Sequence, residues 1–272
     1  VLKPVDGAVG KGIRVVGGLQ QPHFQWPDDL KFSGRAIDGF VAQKYVEGPH
    51  LLDLELLRMA SGAAKEGARL DPVGRFKYNI RQWVLVRWTE NADVWFYEEG
   101  YIGVSALPFS ADLDQLSRHV SNLAEHGAPP FQRIWDTKTL ARYMDREAGY
   151  DVWKQKLLPS MRSAVFSTVC AARPMCGKDA DRGSGGDPGR QPWKRFGFDF
   201  TVGADYKVWL IEANHNPGMK AAKGALGAAK RDLMEVFYAD EKSLCGADSR
   251  STSHGLTKVG GFQWLGRVHP GG

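Results

Sequence analysis

The chain has 272 residues, of which 43% are hydrophobic and 25% charged, with a formal net charge of +5. That length suffices for two modest domains with sizeable cores, and the composition is globular rather than fibrous or low-complexity. No run approaches the roughly 18 consecutive apolar residues of a membrane span and no secretory leader is read, while the positive balance favours an acidic partner without choosing among nucleic acid, phosphorylated ligand and acidic peptide.

Val1 to Val16, VLKPVDGAVGKGIRVV, reads as strand, glycine-containing loop and strand. Gly7, Gly10 and Gly12 permit the close backbone approach that a phosphate needs, and Lys3 and Lys11 supply charge; a simple hairpin tip is an equal reading. Because the chain opens inside a strand, it is expected to be a piece of a longer protein. Phe40 to Val46, FVAQKYV, is a short apolar strand. Leu51 to Met59 has helical spacing, and the stretch from there to Gly74 reads as an insertion with a disordered end.

Arg75 to Trp88, RFKYNIRQWVLVRW, is a strand whose first half carries Lys77, Asn79 and Arg81 on one face. Tyr78, Ile80 and Gln82 share the other, so that half lines a cleft or is half-solvated. Val94 to Ser105 is expected to return beside it as a hairpin across Thr89–Asp93. Helices follow over about Thr137–Ala148 and Asp151–Ala172, with Pro159 near the start or a kink of the second. Val152, Leu157, Met161, Val165 and Val169 form the core stripe of that second helix. Arg173 to Lys194 lacks apolar periodicity and reads as loop or disorder. The three cysteines, Cys170, Cys176 and Cys245, lack paired metal spacing and suit a reducing compartment.

Arg195 to Met219, RFGFDFTVGADYKVWLIEANHNPGM, predicts two strands joined by a tight turn. With the turn centred on Asp205-Tyr206, Asp199 lies across from Glu212, and Asn214 falls on the same face. Two carboxylates side by side in a partly buried hairpin repel unless a cation neutralises them, and an all-oxygen donor set suits Mg²⁺ bridging to a phosphate. A pair of solvated turn carboxylates is the competing reading. Lys220 to Tyr238 reads as an Ala-rich helix, and the tail from Glu241 as disordered.

In order, KP…GKGI, QKYV, KYNIRQW, VWFYEEGY, HVSN, VWKQKLLPSM, GFDF and WLIEANHNPG resemble the tubulin tyrosine ligase-like family across roughly Val1 to Met219. The resemblance implies an α+β, ATP-grasp-like fold of two lobes with antiparallel sheets, the N-terminal lobe incomplete here. It implies an ATP- and Mg²⁺-dependent ligase that joins an amino acid to a protein, usually tubulin, through an acyl-phosphate. Carried over by position, Lys3, Gly10 and Gly12 match the phosphate-contacting lysine and glycine loop, and Gln43, Lys44 and Tyr45 the stretch meeting adenine. Lys77 and Arg81 match basic residues at the phosphates or substrate and are the expected catalytic pair. Asn79 joins the nucleotide contacts, and Asp199, Glu212 and Asn214 match the Mg²⁺ ligands.

Three positions depart from the family pattern. Asn79 stands where it has aspartate, Gly103 where it has arginine, and Val9 where the glycine loop has arginine. A degenerate, non-catalytic tubulin-binding member is therefore the alternative to an active ligase. Ile80-Arg81-Gln82-Trp83, Val94-Trp95-Phe96-Tyr97 and Pro159-Ser160-Met161 resemble the glycine-adding branch, whereas Gly197-Phe198-Asp199-Phe200 looks more like the glutamate-adding one. Domains are expected as residues 1–50 (central lobe), 51–74 (insertion), 75–238 (C-terminal lobe with a disordered insertion at 173–194) and 239–272 (disordered tail). Expected partners are tubulin or another acidic tail and a free amino acid, with no nucleic acid and no membrane. A cytoplasmic, cytoskeletal or ciliary monomer is expected.

Overall fold

A computed structural model describes residues 1–5, 12–17, 31–32, 35–36, 39–62, 73–88, 91–113, 115–121, 133–183, 193–215, 217, 232 and 258–269. The strands are β1 (Leu2–Pro4), β2 (Lys31–Phe32), β3 (Arg35–Ala36), β4 (Phe40–Ala42), β5 (Leu52–Asp53), β6 (Arg75–Phe76), β7 (Tyr78–Trp88), β8 (Ala92–Tyr97), β9 (Tyr101–Val104), β10 (Ile134–Asp136), β11 (Trp193–Val202), β12 (Val208–His215), β13 (Lys258–Val259) and β14 (Phe262–Val268). The helices are α1 (Leu54–Ala60), α2 (Thr137–Ala148) and α3 (Leu158–Gly183). The protein is thus mixed α+β, with antiparallel pairing and few helices, as the sequence predicts. It divides into two compact units, each assembled from three chain segments rather than one consecutive block: residues 1–79, 102–135 and 202–206, and residues 80–101, 136–201 and 207–272.

In the first unit β1 pairs with β4, β2 with β3 and β5 with β6, all antiparallel. The expected helix at Leu51 starts later, because the Asp53 carboxylate accepts from the amides of Glu55 and Leu56 at 3.0 and 3.1 Å and caps α1 there. Leu52 instead pairs with Phe76, and Leu52, Leu54 and Leu57 are buried. Residues 51–62 are therefore packed structure rather than an appended insertion; residues 63–72, read as its disordered end, lie outside those described.

The second unit is built on β7. Its residues Ile80–Arg87 pair with β11 in register from Phe200 back to Trp193, and Val84–Trp88 pair with β8. The stretch expected as one returning strand is two, since β8 ends at Tyr97 and β9 pairs with β7 separately. Glu98-Glu99-Gly100 interrupts it, and a Cβ at Gly100 would sit 2.4 Å from the Arg81 carbonyl, so only glycine fits that close approach. Helix α2 has the expected bounds, capped by Asp136 and ended by left-handed Gly149 (φ 77°). A π-helical turn, Trp153–Leu157, leads into α3 and absorbs Pro159, which lacks the N–H of a regular turn. The predicted stripe is core: Val152, Leu157, Met161 and Val165 are fully buried, Val169 nearly so.

Two expectations of disorder are corrected. Helix α3 continues through Gly183, past the expected end at Ala172, although Pro174 and Gly177 are poor helix formers. The tail is not disordered at residues 258–268: β14 pairs with β8, placing Trp264 opposite Trp95 and Phe262 opposite Tyr97. Asp93, 2% exposed, receives both Arg267 Nε and Nη2, at 2.8 and 3.2 Å. The Asp232 carboxylate accepts from the Tyr97 hydroxyl and the Gly261 amide, both at 2.8 Å. A bulge between Trp264 and Gly266 breaks the alternation of FQWLGRV, which is why the strand escapes a period-two search. The Ala-rich helix expected over Lys220–Tyr238 lies outside the described residues, apart from Asp232. Asp93→Ala is expected to lower stability by about 2 kcal/mol, the scale of a lost charged hydrogen-bond pair, and to speed amide exchange in β14 first; denaturant unfolding with hydrogen exchange checks both.

Candidate functional site

Two groups of predicted residues come together, one in each unit. In the first, β1 places Lys3 beside Val41 of β4, and the Gln43 amide donates to the Val1 carbonyl at 2.8 Å. Lys77, immediately before β7, sets its Nζ 4.1 Å above the centre of the Tyr45 ring, a cation–π contact. Burial, with the positive charge of Lys3 adding to it, lowers the Lys77 amine from 10.5 to about 8. Tyr45 is held in turn: its hydroxyl, pushed up to about 12 by burial, donates to His119 Nδ1 at 2.9 Å. His119 Nε2 lies 2.6 Å from the Asp112 carbonyl, which can only accept, so Nε2 carries the proton and Nδ1 is the acceptor. The sequence gives no sign of this relay beyond the aromatic and imidazole side chains themselves.

Lys44 is exposed and Gln43 half-buried. Gly12 takes a left-handed φ of 74°, where a Cβ would meet the Pro4 ring at 2.8 Å. Gly10, Lys11 and Val9 lie outside the described residues. Asn79 accepts from the Ser121 hydroxyl at 2.5 Å through Oδ1, and a Cβ on Gly103 would stand 2.9 Å from that same oxygen.

In the second unit the β7–β11 register sets Arg81 directly opposite Asp199. The guanidinium grips the carboxylate as a fork, Nε to Oδ1 and Nη2 to Oδ2, the latter at 2.7 Å. Asn214 Nδ2 donates to Asp199 Oδ2 at 3.2 Å and to Glu212 Oε1 at 2.8 Å, so the three residues proposed as metal ligands do converge. Asp199 is 5% exposed, whereas Glu212 is exposed. Burial raises the Asp199 carboxyl to about 6 against the opposing pull of Arg81, and Glu212 adds to the rise. Arg81 is shifted upward: burial works against its charge, but the bond to and charge of Asp199 outweigh it. Gly197 makes room for the fork, since a Cβ there would lie 2.9 Å from Arg81 Cδ and 3.1 Å from Pro217 Cβ. Tyr101, half-buried beside this pair with its ring centre 6.1 Å from that of Trp83, joins the group without any signal in the sequence.

As a cation site, two carboxylates and an amide form a hard oxygen set of the right chemistry for Mg²⁺. Asn214 turns its N–H₂ to both acids, so it would present Oδ1 after a half-turn of the amide. Among the described residues no cluster of three or more His, Cys, Asp or Glu side chains exists, so the set rests on the amide as its third donor.

Residues 1–238 match the profile of the tubulin-tyrosine ligase family. The chain belongs to that family. Its α+β architecture with antiparallel sheets is the family's ATP-grasp-like fold. It is 25% identical over 230 residues to tubulin glycylase 3A of Drosophila melanogaster, covering 81% of this chain and 20% of that protein. It is 26% identical over 288 residues to tubulin monoglycylase TTLL3 of Danio rerio (97% and 30%), and 29% identical over 153 residues to human protein monoglycylase TTLL8 (53% and 17%). The chain thus spans between 17% and 30% of the length of these relatives.

Two outcomes follow from the family member's geometry. Gly197→Ala is expected to displace Arg81 and lower the melting temperature by a few degrees, on the scale of a ~1 kcal/mol overpacking cost, as differential scanning calorimetry would read. Lys77 carries a folded-state pKa below its unfolded one, so its contribution to stability is present above about 10.5 and lost as pH falls through about 8. Lys77→Met is therefore expected to be more stable than wild type at pH 7, with the gap closing toward pH 10 in parallel melts.

Proposed function

We propose that this chain is part of an ATP- and Mg²⁺-dependent ligase that joins an amino acid, glycine ahead of glutamate, to tubulin or another acidic protein tail. The observation that carries the reading is the family match over residues 1–238 together with relatives whose names are those of glycylases. The basic chain, at +5, suits an acidic tail. Lys3 and Lys77 are two cations brought near each other, and they would bind phosphate oxygens of the nucleotide. Mg²⁺, when bound, would neutralise phosphate charge, and Asp199, Glu212 and Asn214 are the residues that would hold it. Arg81 keeps Asp199 ionised and aimed, a positioning task on this reading. The chemistry is that of amide synthesis: an acceptor carboxylate takes the γ-phosphoryl group of ATP as ADP leaves. The amine of the amino acid then attacks the acyl carbon, loses a proton and expels phosphate. A cytoskeletal or ciliary setting follows from such a substrate.

A second reading, a non-catalytic tubulin-binding member, is favoured by Gly103 and Asn79. The space beside Gly103 is taken up by Asn79 and Ser121, so no longer side chain fits there as the residues stand.

The deciding experiment uses the full-length protein with tubulin, Mg²⁺-ATP and labelled glycine, glutamate or tyrosine, beside an Asp199→Ala/Glu212→Ala control. Glycine incorporation that vanishes in the control is the expected result; ATP binding without incorporation would favour the second reading, and no ATP binding would remove the first. A pH series adds an independent check. Phosphate binding needs the Lys77 ammonium, so ATP affinity is expected to fall as pH rises through about 8 and Lys77→Gln to flatten that fall.

A further inference from the structure

Arg133 precedes β10 and is 4% exposed. Its Nε donates to the Val104 carbonyl at 2.6 Å and its Nη2 reaches the Ser121 carbonyl at a long 3.4 Å. Nη1 is buried with no hydrogen-bond partner among the described residues. No carboxylate pairs with it among the described residues, in contrast to Arg81, which has Asp199, and Arg267, which has Asp93. A guanidinium cannot shed its proton to escape this, so a buried arginine facing only carbonyls keeps an uncompensated charge and an unmet donor.

The same Ser121 links Arg133 to Asn79. Its hydroxyl donates to Asn79 Oδ1, which leaves the Asn79 Nδ2 donors without a protein partner among the described residues. Gly103 lies against both, since a Cβ on it would be 3.2 Å from the Ser121 carbonyl that Arg133 touches. Among the described residues, then, Ser121 is surrounded by a cation with no acid partner, an amide whose donors have no protein partner and a residue without a side chain. We propose that Arg133 and Asn79 together bind an oxyanion of the substrates, a carboxylate of the amino acid or a phosphate of the nucleotide. Arg133 has the fork that suits either, with Nη1 unbonded and Nη2 held only by the long contact to Ser121. This rests on the ligase reading for the identity of the oxyanion, not for the existence of the site.

The test measures affinity of the full-length protein for ATP, for glycine and for pyrophosphate by calorimetry, in wild type, Arg133→Gln and Arg133→Lys, with ligand-free melting recorded alongside. Loss of one charge-assisted contact is expected to weaken binding about 10- to 100-fold in Arg133→Gln, with partial recovery in Arg133→Lys. A drop confined to glycine assigns the carboxylate, and a drop for ATP and pyrophosphate assigns the phosphate. A structural arginine would behave in the opposite way, with a lower melting temperature and unchanged affinities, and that result overturns the proposal. If wild type binds neither ATP nor glycine, the ligase reading falls. The site then stands on pyrophosphate alone, supported by Arg133-dependent binding and overturned by absent or Arg133-independent binding.

Discussion

A buried carboxylate must be met by positive charge, and in this protein the register of β7 against β11 meets that demand. Arg81 and Asp199 face each other because eight consecutive residue pairs hold the strands in one alignment. A slip of one residue would turn the arginine to the opposite face. Gly197 and Pro217 set the space in which the guanidinium lies, and Asn214 bridges the acid to Glu212. Side chains far apart in sequence thus become one electrostatic group through backbone hydrogen bonding.

The other unit solves the reverse problem. Among the described residues no acid pairs with Lys77; the Tyr45 ring takes that place, and it is kept in position by His119 and the Asp112 carbonyl in series. An ammonium over a ring keeps its charge available in a way that an ammonium locked to a carboxylate does not. Burial, together with the charge of Lys3, depresses the Lys77 pKa and makes the cation group sensitive to pH just above neutrality.

Much of this was legible in the sequence where periodicity and chemistry agree. The alternation of Lys77, Asn79 and Arg81 with Tyr78, Ile80 and Gln82 appears as half-buried against buried positions. Helix α2 and the stripe of α3 follow their apolar spacing, and in the hairpin the Asn214 amide links Asp199 with Glu212. What was not legible depends on partners remote in sequence. Asp53 ends a run of leucines that otherwise looks helical throughout, and Gly100 splits a run of aromatics into two strands. Tyr101, His119 and Arg133 gain their roles only from what packs beside them. A bulge hid β14, because alternation is the only strand signal a short segment carries.

That last strand changes where the folding unit ends. The family match stops at residue 238, yet the edge of β8, with Trp95, Phe96 and Tyr97 fully or almost fully buried, is covered by residues 262–268. A recombinant fragment cut at the family boundary would leave an apolar strand with unpaired amides and carbonyls, the kind of edge that recruits neighbouring chains. Its insolubility would then reflect the choice of cut site and would say nothing about the fold of residues 1–238 itself.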